Sequence, residues 1–185
     1  MQDRQAKLDQ IAAEIVKNNV CPDLAKMATN LVPGEGSPNA KVMFIGEAPG
    51  KNEDLTGKPF VGAAGKFLNE LLASIGLERE DVFITSIVKY RPPKNRDPKP
   101  VEKMAFWPYL KAQVEVIDPM LIVTLGRHGT NSFLPELKIG EVHGKPQQWE
   151  GRTLLPLYHP AAVLYNRPLR QTLFDDFETI AKFIS

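Results

Sequence analysis

"VMFIGEAPGKNED", residues 42–54, decides how this chain is read: a short apolar run of strand character breaks into a loop holding two glycines, a proline and three acids. Downstream, "GKFLNELLASIGL" sets Phe67, Leu68, Leu71, Leu72 and Ile75 at helical spacing and closes on Gly76, so the first unit is strand, long loop and helix. The same alternation continues. "DVFITSIVKY" predicts a second strand, "MLIVTLG" a third and "GRTLLPLYHP" a fourth. Between them "VEKMAFWPYLKAQVEVI" reads as a helix despite Pro108, and residues 127–133 as a short one. "PLRQTLFDDFETIAKFI" is a final helix with Leu173, Phe174, Phe177 and Ile180 facing inward, whereas "RPPKNRDPKP" is a loop because its four prolines lack amide donors. Ahead of the main fold, residues 4–18 predict an amphipathic helix with Leu8, Ile11, Ala12, Ile15 and Val16 on its apolar face, and a looser segment with Pro22, Pro33 and Gly34 follows. Alternating strands and helices predict an α/β fold: a three-layer α/β/α sandwich with a central, mainly parallel four-stranded sheet, in one domain over residues 1–185. Ligands in such folds sit beyond the carboxyl ends of the strands, where the loops after residues 46, 86 and 157 converge on one crevice.

Composition narrows the chemistry. The chain is 43% hydrophobic and 24% charged, enough for one core. No window approaches the roughly 18 to 20 apolar residues of a membrane span, and residues 1–9 are polar rather than signal-like, so the expectation is a cytoplasmic protein, acting as a monomer. Cys21 is the only cysteine, which excludes an internal disulfide and a cysteine-held zinc or iron–sulfur site built from this chain alone. A net charge of +1 neither supports nor excludes a nucleic-acid partner.

Several loop residues carry chemical promise beside an ordinary structural reading. Gly46 and Gly50 permit close ligand approach, Pro49 stiffens the turn, and Glu47 stands at the strand end as an acceptor or base; a tight turn with solvated acids is the alternative. The loop lacks the Gly-Lys-Ser/Thr ending of a nucleotide-hydrolysing loop. "YHP" puts His159 just past a strand, in the same crevice as Glu47, while His128 and His143 have no comparable context and read as structural or exposed. Three histidines and one cysteine show no metal-ligand spacing. Phe60, between glycines in "GKPFVG", is either an anchor packed inward or a platform for a flat base. Arg91, Lys94, Arg96 and Lys99 on the stiff proline loop either track phosphates or form a solvated surface.

Taken in order, "GEAPG", "TGKPFVG" and "HPAA" resemble the uracil-DNA glycosylase superfamily, and within it family 4; "ITSIVKYRPPKNRDP" and "LIVTLG" extend the likeness. Two departures stand out. Family 4 members typically carry an iron–sulfur cluster on four cysteines, and the matching positions are Asn18, Cys21, Tyr90 and Phe106, so no cofactor is expected and ring packing takes over the cross-linking role. Ser86 stands where the family usually has an asparagine that reads the uracil edge, which loosens the expected selectivity.

The resemblance implies an enzyme that swings a uracil, or another deaminated base, out of DNA and hydrolyses its glycosidic bond. Gly46, Ala48, Phe60 and Ser86 would bind the base, His159 would donate to its O2, and Glu47 would activate water. Lys89, Arg91, Lys94 and Arg96 would meet the DNA, with Leu164 and Arg167 of "VLYNRPLR" as wedge and phosphate contact. A non-catalytic damaged-base binder and an α/β protein acting on free nucleotides are the competing readings.

Overall fold

The computed structural model describes residues 3–185; Met1 and Gln2, the start of the polar opening stretch, lie outside the described residues. The elements run α1 (Arg4–Lys17), α2 (Pro22–Met27), β1 (Glu35–Gly36), β2 (Val42–Gly46), α3 (Lys51–Thr56), α4 (Ala63–Ser74), β3 (Phe83–Ser86), α5 (Pro100–Ile117), β4 (Leu121–Leu125), α6 (Gly126–Phe133), α7 (Ile139–Val142), β5 (Gln147–Trp149), β6 (Arg152–Leu157) and α8 (Leu169–Ile184).

One sheet in the order β1-β3-β2-β4-β6-β5 organises them. β3, β2, β4 and β6 are parallel, as expected of strands joined by helical crossovers. The sheet has six strands rather than the expected four, because β1 and β5 add short antiparallel edges. Neither edge has an apolar run to announce it. β2 and β4 are buried along their whole length, and the period-two pleat sends their side chains to opposite faces. Val42 and Phe44 join Leu68, Leu72, Leu173 and Phe177 of α4 and α8, whereas Met43 and Ile45 join Ile11, Ile15, Phe106 and Leu110 of α1 and α5. Helices thus cover both faces, which is why the strands read as continuous rather than alternating apolar runs. Fully burying each such leucine or phenylalanine contributes roughly 1.5 to 3 kcal/mol.

β3 ends earlier than "DVFITSIVKY" suggests. From Ile87 the chain leaves the sheet, yet the Ile87 and Val88 amides still donate to the carbonyls of Gly46 and Glu47, at 3.0 and 3.1 Å. Those two bonds hold the loops after β2 and β3 side by side. Pro156 sits inside β6, where its missing amide costs nothing, because pairing with β5 ends at Leu154.

Candidate active site

The carboxyl ends of β2, β3 and β6 do converge, on a crevice of about 550 Å³ whose lining includes Glu47, Ala48, Phe60, Ser86, Asp97 and His159. Gly46 and Ser86 are register partners, so the two loops leave the sheet at one level. Phe60 is both anchor and wall. It is buried, yet its ring stacks on the His159 ring with centroids 5.6 Å apart. Its φ of +49° is unusual for a phenylalanine and is held by Arg79, which donates to the carbonyls of Pro59 and Phe60 at 2.6 and 3.0 Å. Two glycines make room: a Cβ on Gly46 would lie 2.7 Å from the Phe60 ring, and one on Gly65 would lie 1.7 Å from the Phe60 carbonyl oxygen.

The other two acids of the opening loop turn inward rather than into solvent. Glu53 accepts from the amides of Val61 and Gly62, each at 2.9 Å, and from that of Gly50 at 3.1 Å, tying the glycine loop to the Phe60 loop. Asp54 is buried and accepts from Thr29 and Asn30. An acid three residues past Gly50, at the start of a helix, is the sequence signal that identifies Glu53 as a cap.

His159 follows β6 and accepts the Ala161 amide at Nδ1, 3.1 Å away. The neutral ring therefore carries its proton on Nε2. Burial pushes its pKa down to about 4, with Glu53 pulling weakly the other way, so the ring is a neutral donor at ordinary pH. Glu47 moves in the opposite direction: burial first, then the neighbouring Asp97, push its pKa up to about 7, while Lys103 and Arg127 oppose them. A carboxyl poised there is suited to take a proton from water.

Contrary to the sequence expectation, His128 belongs to this site. Its Nε2 is 3.8 Å from Glu47 Oε2 and 3.1 Å from Asp97 Oδ2, and Lys103 donates to its Nδ1 at 3.2 Å. Neither the histidine at the start of α6 nor Asp97 in the proline loop has a local pattern that marks it; only the fold joins them. Donor atoms of Glu47, Asp97 and His128 lie within 4.8 Å of one another, a spacing a cation can bridge, but Lys103 and Arg127 already supply positive charge there.

The expected DNA contacts divide. Lys94, Leu164 and Arg167 are exposed, Arg91 donates to Asn95, and Arg96 lines the crevice while forming a two-pronged pair with Glu102 at 2.9 and 2.7 Å. Tyr165, not singled out from sequence, is 91% exposed at the crevice mouth. Lys89 is a correction. It is fully buried, its Nζ donates to Thr85 Oγ1, the Ser86 carbonyl and Gln113 Oε1 at 2.6, 2.6 and 2.7 Å, and it cannot reach a phosphate. Burial drives its pKa down, and the bond to Ser86 makes it a brace behind the crevice wall.

At the far end of α1, the four positions matching the family 4 cluster ligands offer one thiol. Tyr90 and Phe106 are buried and meet edge to face at 5.9 Å, and Asn18 donates to the Tyr109 hydroxyl at 3.0 Å. Burial raises the pKa of Cys21 above its ordinary value. This donor set does not fit an iron–sulfur cluster.

The α/β sheet thus carries a neutral histidine and a carboxyl of raised pKa in one crevice at its strand ends. The family described as the Uracil DNA glycosylase superfamily matches residues 33–182, and the chain belongs to it. It is similar to a type-4 uracil-DNA glycosylase of Saccharolobus solfataricus, 51% identical over 96% of this chain and 87% of the relative, and to that of Archaeoglobus fulgidus, 49% identical over 95% and 92%. The type-4 enzyme of Thermotoga maritima is 41% identical over 100% of this chain and 98% of its own. Identity to a type-5 enzyme of Thermus thermophilus is lower, at 32%.

Proposed function

We propose that this chain is a type-4 uracil-DNA glycosylase that hydrolyses the N-glycosidic bond of uracil in DNA and so begins base excision repair, without an iron–sulfur cluster. The observation that carries this reading is His159: neutral, fixed by the Ala161 amide as an Nε2 donor, and placed in one crevice with Glu47, Phe60 and Ser86.

In this mechanism the extruded base stacks on Phe60, and the Ser86 hydroxyl with the backbone of Gly46 and Ala48 meets its polar edge. As the glycosidic bond breaks, negative charge grows on the leaving base. His159 Nε2–H donates to O2, an interaction stronger in the transition state than in the substrate. Because the donor is neutral, it does not compete with ionisation of Glu47. That carboxylate takes a proton from the water that captures the electron-poor sugar carbon. Leu164 and Arg167, exposed on the turn after His159, fill the gap in the duplex and meet a phosphate; Lys94 and Arg91 extend the contact along the strand.

Labelled oligonucleotides with one uracil, single-stranded or opposite guanine or adenine, test this through strand breakage after alkali. Breakage at uracil is expected, and hypoxanthine and xanthine substrates reveal what Ser86 admits. Tight binding without release of the base would replace the enzyme reading with that of a damage-binding protein.

A further inference from the structure

Glu47 does not stand alone. Its side chain is three-quarters buried, with an exposure of 25%, and titratable groups from several elements surround it. Asp97 comes from the proline loop, Lys103 from α5, Arg127 and His128 from α6, and across the crevice lie His159, which is neutral, and Glu53, whose oxygens are taken by loop amides. A lysine ammonium can only donate, so the 3.2 Å contact from Lys103 makes His128 Nδ1 an acceptor and puts the ring proton on Nε2. The Asp97 carboxylate accepts that proton at Oδ2, 3.1 Å away, in preference to Arg127 Nε at 3.3 Å, which is itself a donor. Arg127 Nη2 lies 3.5 Å from the same oxygen. Asp97 is thereby held beside Glu47 although it is 62% exposed and belongs to a loop. Burial first, then Lys103 and Arg127, lower the pKa of His128 against the upward pull of Asp97, so the ring is neutral at pH 7. It orients Asp97 without adding charge.

We propose that Asp97, fixed by His128 and Arg127, is a positioning residue that governs when Glu47 carries its proton, and that Lys103 and Arg127 exert the opposing pull. The proposal rests on the reading of Glu47 as the group that activates water. Two like charges this close favour retention of a proton on the more buried carboxyl, whereas the two cations favour its loss. The crevice thus contains a base whose set point comes from neighbouring charges of both signs, and removing one sign or the other moves that set point in opposite directions.

The test reads Glu47 directly. The full chain, labelled with carbon-13 at glutamate carboxyl groups, is titrated by NMR, with the Glu47 signal assigned from its loss in Glu47→Gln. The parent midpoint is expected near 7. Asp97→Asn should lower it and Lys103→Met should raise it, each by about one unit at low ionic strength. Midpoints that stay put, or that shift in the same direction in both variants, overturn the proposal. Excision of uracil from single-stranded DNA is followed alongside, from about pH 5 to 9, and its acid limb should move with the NMR midpoint in each variant. Midpoints that move while the rates ignore them uphold the tuning by Asp97 and Lys103 and refute Glu47 as the base, so the two failures are distinguishable.

Discussion

The corner around Cys21 and the crevice around Glu47 meet on the short stretch of chain that follows β3, and they treat buried chemistry in opposite ways. In the corner, Tyr90 and Phe106 fill space with rings, and the buried Glu102 beside Cys21 is neutralised by its pair with Arg96. In the crevice, Glu47 and His159 are taken partly out of water, and burial pushes both toward their neutral forms. Stability is concentrated where no reaction occurs, and the reactive groups sit where the fold would be more stable without them.

The sharpest way to break this contrast is to empty the corner. Phe106→Ala is expected to cost about 3 to 5 kcal/mol of stability, because a fully buried ring leaves a cavity against Tyr90 and α1. Urea unfolding measures it, and the folded fraction should still excise uracil at the parental rate. A loss under about 1 kcal/mol would mean that something other than the aromatic pair holds this end of the molecule together. His159→Ala should do the reverse. Loss of one donor to the leaving base slows excision about 10² to 10³-fold, roughly 2.7 to 4 kcal/mol in the transition state, with stability changed by less than about 1 kcal/mol. Parental single-turnover rates in that variant would remove His159 from the mechanism.

Glu47→Gln sharpens the same contrast from the stability side. The folded-state pKa of Glu47, about 7, is raised above its ordinary value of 4.5. Above 4.5 the unfolded chain ionises this carboxyl while the native state resists, so the native state loses relative stability as pH rises, until the deficit levels off beyond about 7. Glutamine carries no such deficit. The variant should be more stable than the parent by about 1 to 3 kcal/mol at pH 8 and no more stable at pH 4, even as it loses activity. Equal stabilisation at both pH values would show that charge is not the cause.

How legible these regions are in the sequence follows from what each is made of. The four parallel strands and the main helices are apolar runs with clear periodicity, and Gly46, Glu47, Phe60, Ser86 and His159 fall at strand ends or between glycines, where position permits a ligand but it is the family resemblance that gives them roles. β1 and β5 are too short and too polar to give a pattern, since an edge strand is fixed by its partner rather than by its own side chains. Lys89 misleads because a lysine at the end of an apolar run looks like a surface charge, and only the arrangement of Thr85, Gln113 and the Ser86 carbonyl reveals three acceptors for it. Asp97 and Lys103 are near neighbours in sequence, but His128 lies 25 residues beyond Lys103 and Glu47 well before either, so their meeting is a property of the fold.

The smallest expected effect concerns Ser86, where crevice and brace adjoin. Its hydroxyl is a single short centre that can donate or accept, so it contacts the edge of several bases without enforcing one pattern. An asparagine there offers a donor and an acceptor at fixed separation, which matches the adjacent carbonyl and N–H of uracil. Hypoxanthine carries the same pair, but on a two-ring base that places this edge differently relative to the sugar, so it meets the longer side chain out of register. Ser86→Asn should therefore raise discrimination for uracil over hypoxanthine by about tenfold, or about 1.4 kcal/mol, mostly by slowing the wrong substrate. Lys89 bonds the Ser86 carbonyl from behind, so the backbone that carries the new side chain should remain in place. Competition between uracil and hypoxanthine oligonucleotides in one reaction measures the ratio directly. An unchanged ratio would show that the edge of the base is read by the backbone of the Gly46 loop and not by the side chain at position 86.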